Sequence, residues 1–410
     1  MFLRRDNWVQ NKHSGGTFTL MMARSSHNDR VHRRYPFSRS WRWYCVRLFD
    51  FIFGFFGKQN RKKYFPDRTD HILVIRLDQI GDVVCSLPVF PILRTQFPNA
   101  QITALVGEGG KAILDQNPYV DRLITFRSNW FSRNQWFNPF EFLRVLFQLR
   151  KTCYDLGFDL RSDLRNVLLM AFAGVRYRIG YGIAGGGDLL HRMESYDMTL
   201  HQVELNARLV RKEPIEKSDL KPEIHLSQEE KDYALKRLQY FGVQKDVQLI
   251  AVHPEAGYPS KEWEGGKFKQ LIKDLLIDPQ SQILIFGLSK ASRIAGHFSS
   301  SNRVINLVGK FPLREMIAAL SHCHLFIGND SGPSHIARAL GIPAVVVASG
   351  QNEYEKWGIW TEPSKILSHE VPCSPCHLRN CNVDGHPCMS QISVEEVSQA
   401  AQELLAGVKS

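Results

Sequence analysis

From residue 71 onward, short apolar runs alternate with stretches whose apolar positions recur every three or four residues, and they do so in two series. The first series predicts strands at His71-Ile72-Leu73-Val74-Ile75-Arg76, 102–106 and 122–126, near Phe158-Asp159-Leu160, and over 175–182. It also predicts a helix from Asp82 to about Gln96, bent or restarted near Pro88 and Pro91, and a helix from about Pro139 to Thr152. A polar, proline-containing stretch at 213–222 interrupts the pattern. The second series then predicts strands at 248–252, 282–286, 324–327 and 343–348. Phe268, Leu271, Ile272 and Leu275 mark the buried face of one helix; Leu313, Met316, Ile317 and Leu320 mark another. A short helix is read over Ile336–Gly341, and a last one carries Val394, Val397, Ala401 and Leu404 on one face. Continuous apolar strands alternating with helices are buried on both faces, as in parallel sheets. The expectation is an α/β protein of two doubly wound, Rossmann-like domains facing across a cleft. Their expected extents are 67–215 and 216–410, after an arm at 1–66.

Charge changes the picture only at the start of the chain. Residues 1–70 hold 15 Lys and Arg against 5 Asp, which accounts for +10 of the +11 net charge. The folded body is therefore nearly neutral. Within the arm, 44–56 is an aromatic and apolar run containing Arg47 and Asp50, flanked by Arg39, Arg42, Lys58, Arg61, Lys62 and Lys63. It is too short to span a bilayer. It fits a helix resting on an anionic membrane surface, or an amphipathic helix docked on the body. The aromatics cluster on one face and do not interleave with the basic residues as stacking platforms would, so no nucleic-acid partner is expected. No apolar stretch with a small-residue cleavage site follows Met1, and Met21 and Met22 are alternative starts. The reading is a cytoplasmic protein, peripheral at the inner face of the cytoplasmic membrane.

Four turns stand at the carboxyl ends of predicted strands, where α/β folds bind nucleotides. In Asn329-Asp330-Ser331-Gly332-Pro333-Ser334-His335 a buried strand runs into a polar turn and a helix opening on Ser and Gly. Such a turn aims backbone N–H groups and the positive helix end at one point, an anion site. In Arg76-Leu77-Asp78-Gln79-Ile80-Gly81-Asp82, Gly81 permits a close backbone approach and Asp82 sits at a helix start. In His253-Pro254-Glu255-Ala256-Gly257-Tyr258-Pro259-Ser260-Lys261, small residues and a lysine suit a diphosphate. The fourth, Phe286-Gly287-Leu288-Ser289, is a glycine turn.

Together these resemble the ADP-heptose–lipopolysaccharide heptosyltransferases, glycosyltransferase family 9, over roughly residues 70–406. The resemblance rests on Arg76…Ile80-Gly81-Asp82-Val83, Lys261-x-Trp263, Leu307-Val308-Gly309…Leu313 and Asn329 to Ala337 with Leu340-Gly341-Ile342-Pro343. It implies a GT-B architecture and inverting transfer of heptose from ADP-heptose to a core sugar of a lipid-linked oligosaccharide acceptor, with no cofactor required for catalysis. By that pattern Asp82 is the general base. Lys261 with the amides at Ser331 and Gly332 holds the diphosphate, and Asp330, His335 and Gly287 complete the donor pocket. Arg76 and Gly81 lie on the acceptor side of the cleft. The family carries an acid about four positions after the glycine matching Gly287, reading the donor ribose; here Ser289-Lys290-Ala291-Ser292-Arg293 contains none. Alternatives are another nucleotide sugar or a protein acceptor, or a non-catalytic, membrane-associated binding protein.

Of eight cysteines, Cys45, Cys85, Cys153 and Cys323 stand in apolar contexts and are expected to be core thiols. Cys373-x2-Cys376-x4-Cys381-x6-Cys388 is a compact set in one loop, with His377 and His386 beside it. It reads either as a structural zinc or iron site, with every position filled by protein and none open to substrate, or as four reduced thiols packed on the domain.

Overall fold

The computed structural model describes residues 65–127, 138–211 and 216–408. The expectations for the basic arm, its apolar run at 44–56 and Cys45 lie outside these residues. The first sheet contains β1 (His71–Arg76), β2 (Gln101–Val106), β3 (Arg122–Thr125), β4 (Leu156–Asp159), β5 (Tyr177–Gly180) and β6 (Arg192–Met193). Its order is β3-β2-β1-β4-β5-β6, parallel throughout. The second sheet contains β7 (Gln248–His253), β8 (Ser281–Ile285), β9 (Val304–Asn306), β10 (Leu325–Asn329), β11 (Ala344–Val347) and β12 (Ser364–Leu367). Its order, β12-β11-β10-β7-β8-β9, repeats the same winding in parallel. Each sheet reverses its winding once, between β1 and β4 and between β7 and β10, and such switch points open crevices at the strands' carboxyl ends.

The strands read as unbroken apolar runs because both faces of each sheet are covered. Ile72 and Val74 of β1 pack with Phe90, Leu93, Leu205 and Leu209, while Leu73 and Ile75 on the other face pack with Val145, Leu149, Val167 and Met170. In the second sheet Ile250 and Val252 pack with Phe268, Leu271, Val397 and Ala401. Ala251, Phe326 and Val346 turn the other way, into the same apolar cluster that holds Ile72 and Val74. One continuous core thus joins the two sheets. Burying each such side chain contributes about 1.5–3 kcal/mol.

Polar ties reinforce this joint. Arg314 forms a bidentate pair with Glu230 at 2.6 and 2.8 Å and donates to the Ala112 carbonyl beside the first sheet. Three local expectations are refined. The helix expected over 82–96 is two helices, Ile80–Val84 and Val89–Gln96, because Pro88 interrupts the ladder and starts the second. The short helix after β10 is Gly332–Ala339, beginning four residues before Ile336; Pro333 is tolerated in its first turn, where no N–H is needed. Cys85 and Cys323 are buried as expected, but Cys153 is exposed, since it lies in the turn between the helix Pro139–Arg150 and β4. Among the described residues no helix is long and apolar enough to cross a membrane.

Candidate active site

The site forms where the first sheet's switch point faces the second's. After β1 the chain turns into the helix Ile80–Val84, and after β10 into the helix Gly332–Ala339; these two helices pack against each other. Glycine makes the approach possible on both sides. A Cβ on Gly81 would lie 3.1 Å from Cδ2 of His335, and one on Gly332 would lie 3.2 Å from Cβ of Ile80. The predicted acid turn and the predicted anion turn are therefore brought together.

On the first sheet's side, Asp82 lies in the first turn of its helix, its side chain 17% exposed, and Oδ2 accepts the Gln79 N–H at 3.3 Å. Arg76 Nη2 lies 3.4 Å from Asp82 Oδ1, and Arg76 Nε lies 2.9 Å from Asp78 Oδ1. Arg161, just past β4, reaches Asp78 Oδ2 at 2.7 Å. Arg76 also donates to the Leu160 carbonyl and to Asn206 Oδ1. Expected as a cleft-lining residue, Arg76 is only 2% exposed and meets Asp82 from within the core. Burial raises the Asp82 carboxyl to about 6, Asp78 pushes it the same way, and Arg76 and Arg161 pull it down. Asp82 is thus a carboxylate near neutral pH that still holds a proton readily.

On the second sheet's side, Lys261 Nζ pairs with Asp330 Oδ2 at 2.6 Å, both side chains nearly buried. Burial lowers the His335 pKa, more than Asp330 raises it, so its imidazole is neutral at physiological pH. Ser331 caps the helix that begins at Gly332, its Oγ donating to the Asn329 carbonyl at 3.2 Å. Gly287, at the end of β8, holds φ +143, a conformation that favours glycine. Asn329 is a residue of the motif to which the sequence pattern assigns no role. Its side chain accepts the Trp263 N–H at 3.0 Å and donates to the Pro254 carbonyl at 2.9 Å, stapling the β7 loop to β10. Trp263 is buried and donates Nε1–H to Ile392, so it belongs to the core.

The four cysteines of the loop are near one another: burial raises the Cys388 thiol pKa, and Cys381, Cys373 and Cys376 push it the same way. Among the described residues no group of three or more His, Cys, Asp or Glu is placed to hold a metal ion. Cys373 is exposed, Cys388 is buried in the apolar core on the short helix Pro387–Ser390, and Cys381 Sγ lies 3.5 Å from the Val383 carbonyl. Main-chain carbonyls of the loop and His386 hold the segment that carries Lys261. The Ser260 N–H donates to the Arg379 carbonyl at 3.1 Å, Ser260 Oγ donates to the Leu378 carbonyl at 2.6 Å, and His386 Nε2 lies 3.1 Å from the Ser260 carbonyl. The loop is a shelf under the lysine turn.

Residues 142–386 match the family model for glycosyltransferase family 9 (heptosyltransferase). The chain belongs to this family. It is similar to lipopolysaccharide heptosyltransferase 3 of Escherichia coli (strain K12), 26% identical over 297 residues, covering 69% of this chain and 83% of that protein. Against lipooligosaccharide heptosyltransferase 2 of Campylobacter jejuni (serotype O:6) it is 23% identical over 276 residues, covering 65% of this chain and 85% of that protein. The solved structure of E. coli ADP-heptose lipopolysaccharide heptosyltransferase II superposes with a TM-score of 0.67 at 22% identity, covering 83% of this chain and all of that one. The fold is thus GT-B, and this family 9 member is a glycosyltransferase, which removes the non-catalytic alternative.

Proposed function

We propose that this glycosyltransferase moves a heptose from ADP-heptose to a core sugar of lipopolysaccharide, with inversion at the anomeric carbon. The observation that carries the reading is the pairing of Asp82, a carboxyl raised to about 6, with the Lys261–Asp330 turn and the start of the helix Gly332–Ala339 across one cleft. An acceptor hydroxyl attacks the anomeric carbon while the bond from that carbon to the β-phosphate oxygen breaks. The hydroxyl proton passes to Asp82, and the bonding pair leaves with the nucleoside diphosphate. Lys261 and the helix start stabilise the departing charge, so this step needs no catalytic cofactor. Supplying the base and the anion site from different sheets makes orientation of the two substrates part of the catalysis.

The arm's +10 charge and its apolar run support placement at the anionic inner face of the cytoplasmic membrane, where a lipid-linked acceptor would be met. The test is product formation by the purified full chain with ADP-, GDP- and UDP-sugars on a heptose-deficient lipopolysaccharide acceptor. ADP-heptose is expected to be consumed fastest, with one heptose added per acceptor; turnover of a GDP- or UDP-sugar alone would replace the donor assignment.

A further inference from the structure

The donor reading leaves one requirement unmet: the ribose of a nucleotide presents two neighbouring hydroxyl donors, and the helix Ser289–Gly296 after β8 offers no acid to accept them. The structure places a carboxylate there from elsewhere. Glu255, two residues past β7, is buried at 9% exposure, and its two oxygens lie against the turn that follows β8. Oε2 accepts the Leu288 N–H at 2.7 Å and Oε1 accepts the Ala291 N–H at 2.8 Å. Each oxygen takes one N–H in this arrangement, and a carboxylate oxygen can accept a second hydrogen bond. Among the described residues no lysine or arginine forms an ion pair with it. Gly287 keeps the approach open, since a Cβ there would lie 3.2 Å from Glu255 Oε2.

The direction of the donor across the sheet follows from the site already described. Its diphosphate belongs at Lys261 and Gly332, at the β7–β10 switch point. Its sugar must face Asp82, whose helix packs on the helix after β10. The nucleoside, at the opposite end of the diphosphate, then falls toward β7 and β8, where Glu255 stands. Asn329 fixes this loop by holding the Pro254 carbonyl, one residue from Glu255 and one from Asp330. We propose that Glu255 is the acceptor for the ribose hydroxyls of the nucleotide-sugar donor. It is a specificity residue carried on the β7 loop, reading the diol as an acid at a strand end does in other Rossmann-like sites. The assignment rests on the donor being a nucleoside diphosphate sugar.

The experiment is calorimetric binding of ADP, GDP and UDP and of their 2′-deoxy forms to the full chain, in the wild type, Glu255→Gln and Glu255→Asp. For the diphosphate that binds, the wild type is expected to prefer the ribo form by about tenfold, the worth of a hydrogen bond to a charged group. Glu255→Gln is expected to bring that ratio close to one while binding of the deoxy form stays near the wild-type value. A variant that weakens ribo and deoxy forms equally, keeping the ratio, shows a residue that only holds the β8 turn and overturns the proposal. A wild-type ratio near one overturns it before any variant is made. Glu255→Asp, which withdraws the carboxylate but keeps its charge, is expected to lose the preference as well; a retained preference there also overturns it. Failure of the wild type to bind any of the three diphosphates overturns the donor reading itself.

Discussion

The two halves of the cleft are built alike and charged differently. Each is a parallel strand, a tight turn and a short helix at a switch point, β1 into Ile80–Val84 and β10 into Gly332–Ala339. On the first side Asp78 and Asp82 both lie on the buried Arg76 guanidinium, with Arg161 reaching Asp78 as well, and burial, followed by the Asp78 charge, leaves Asp82 easy to protonate. On the second side the carboxylate has a lysine of its own at 2.6 Å, and the neighbouring histidine is neutral. Local topology therefore sets where a group stands; burial and the charges around it set its protonation. On the proposed reading one turn is the proton acceptor and the other the anion holder.

The strongest way to break this contrast is Asp82→Asn, which keeps the shape and removes the base. Turnover is expected to fall by about two to four orders of magnitude, the usual worth of a general base. Nucleotide affinity, governed by the other half, is expected to stay within about twofold. The folded state should not suffer at neutral pH. A carboxyl raised above its ordinary value is costlier to ionise in the folded chain than in the unfolded one, so it takes stability away as pH rises from about 4 to about 6. Thermal unfolding at pH 7 is thus expected at or above the wild-type midpoint. Near-normal turnover in a folded variant would remove Asp82 from the role.

A smaller effect is expected on the anion side. Lys261→Ala should weaken ADP binding by about 10- to 100-fold, the range for a hydrogen bond to a charged group, and turnover should fall with it. Asp330 would then face the diphosphate without its counter-charge, which works in the same direction. Lys261→Arg is expected to recover little, because the ammonium fits between the Asp330 carboxylate and the Asp330 carbonyl, 3.4 Å away, where a planar fork does not. Calorimetry with ADP measures both; unchanged affinity in the alanine variant would place the diphosphate elsewhere.

What could be read from the sequence divides along the same physical line. The strands, the turns after β1, β7, β8 and β10, and the residues Asp82, Lys261 and Asp330 announce themselves through local pattern, because apolar runs and glycine turns are local. The partners that set their charge do not. Arg161 meets Asp78 from another strand's end, and Glu255 meets the β8 turn from more than thirty positions away. The cysteine loop is legible only in part: its spacing suits a metal, while the bonds from Ser260 to the Arg379 and Leu378 carbonyls tie it to the lysine turn, a contact that spacing does not announce. Arg76 looked like a cleft residue because it ends a strand, but the paired acids draw it inward.

The last prediction sharpens the contrast without removing either half. With the Asp82 carboxyl raised to about 6, kcat/KM should rise tenfold per pH unit below that value and level off above it, because the protonated acid cannot take the acceptor's proton. Asp78 is one of the causes that hold the value up, second to burial. In Asp78→Asn the like charge is gone, and Arg76 and Arg161, no longer shared with it, are left to favour the Asp82 carboxylate. Both changes act in the same direction, so the acid limb of the pH profile is expected to move to lower pH. At pH 5 the variant should keep a larger fraction of its own plateau rate than the wild type keeps, even where the plateau itself is lower. The measurement is kcat/KM from pH 4.5 to 8 at constant ionic strength, since screening would otherwise blur an effect of this size. A limb that stays in place, or moves upward, would show that Asp78 does not govern the ionisation of Asp82.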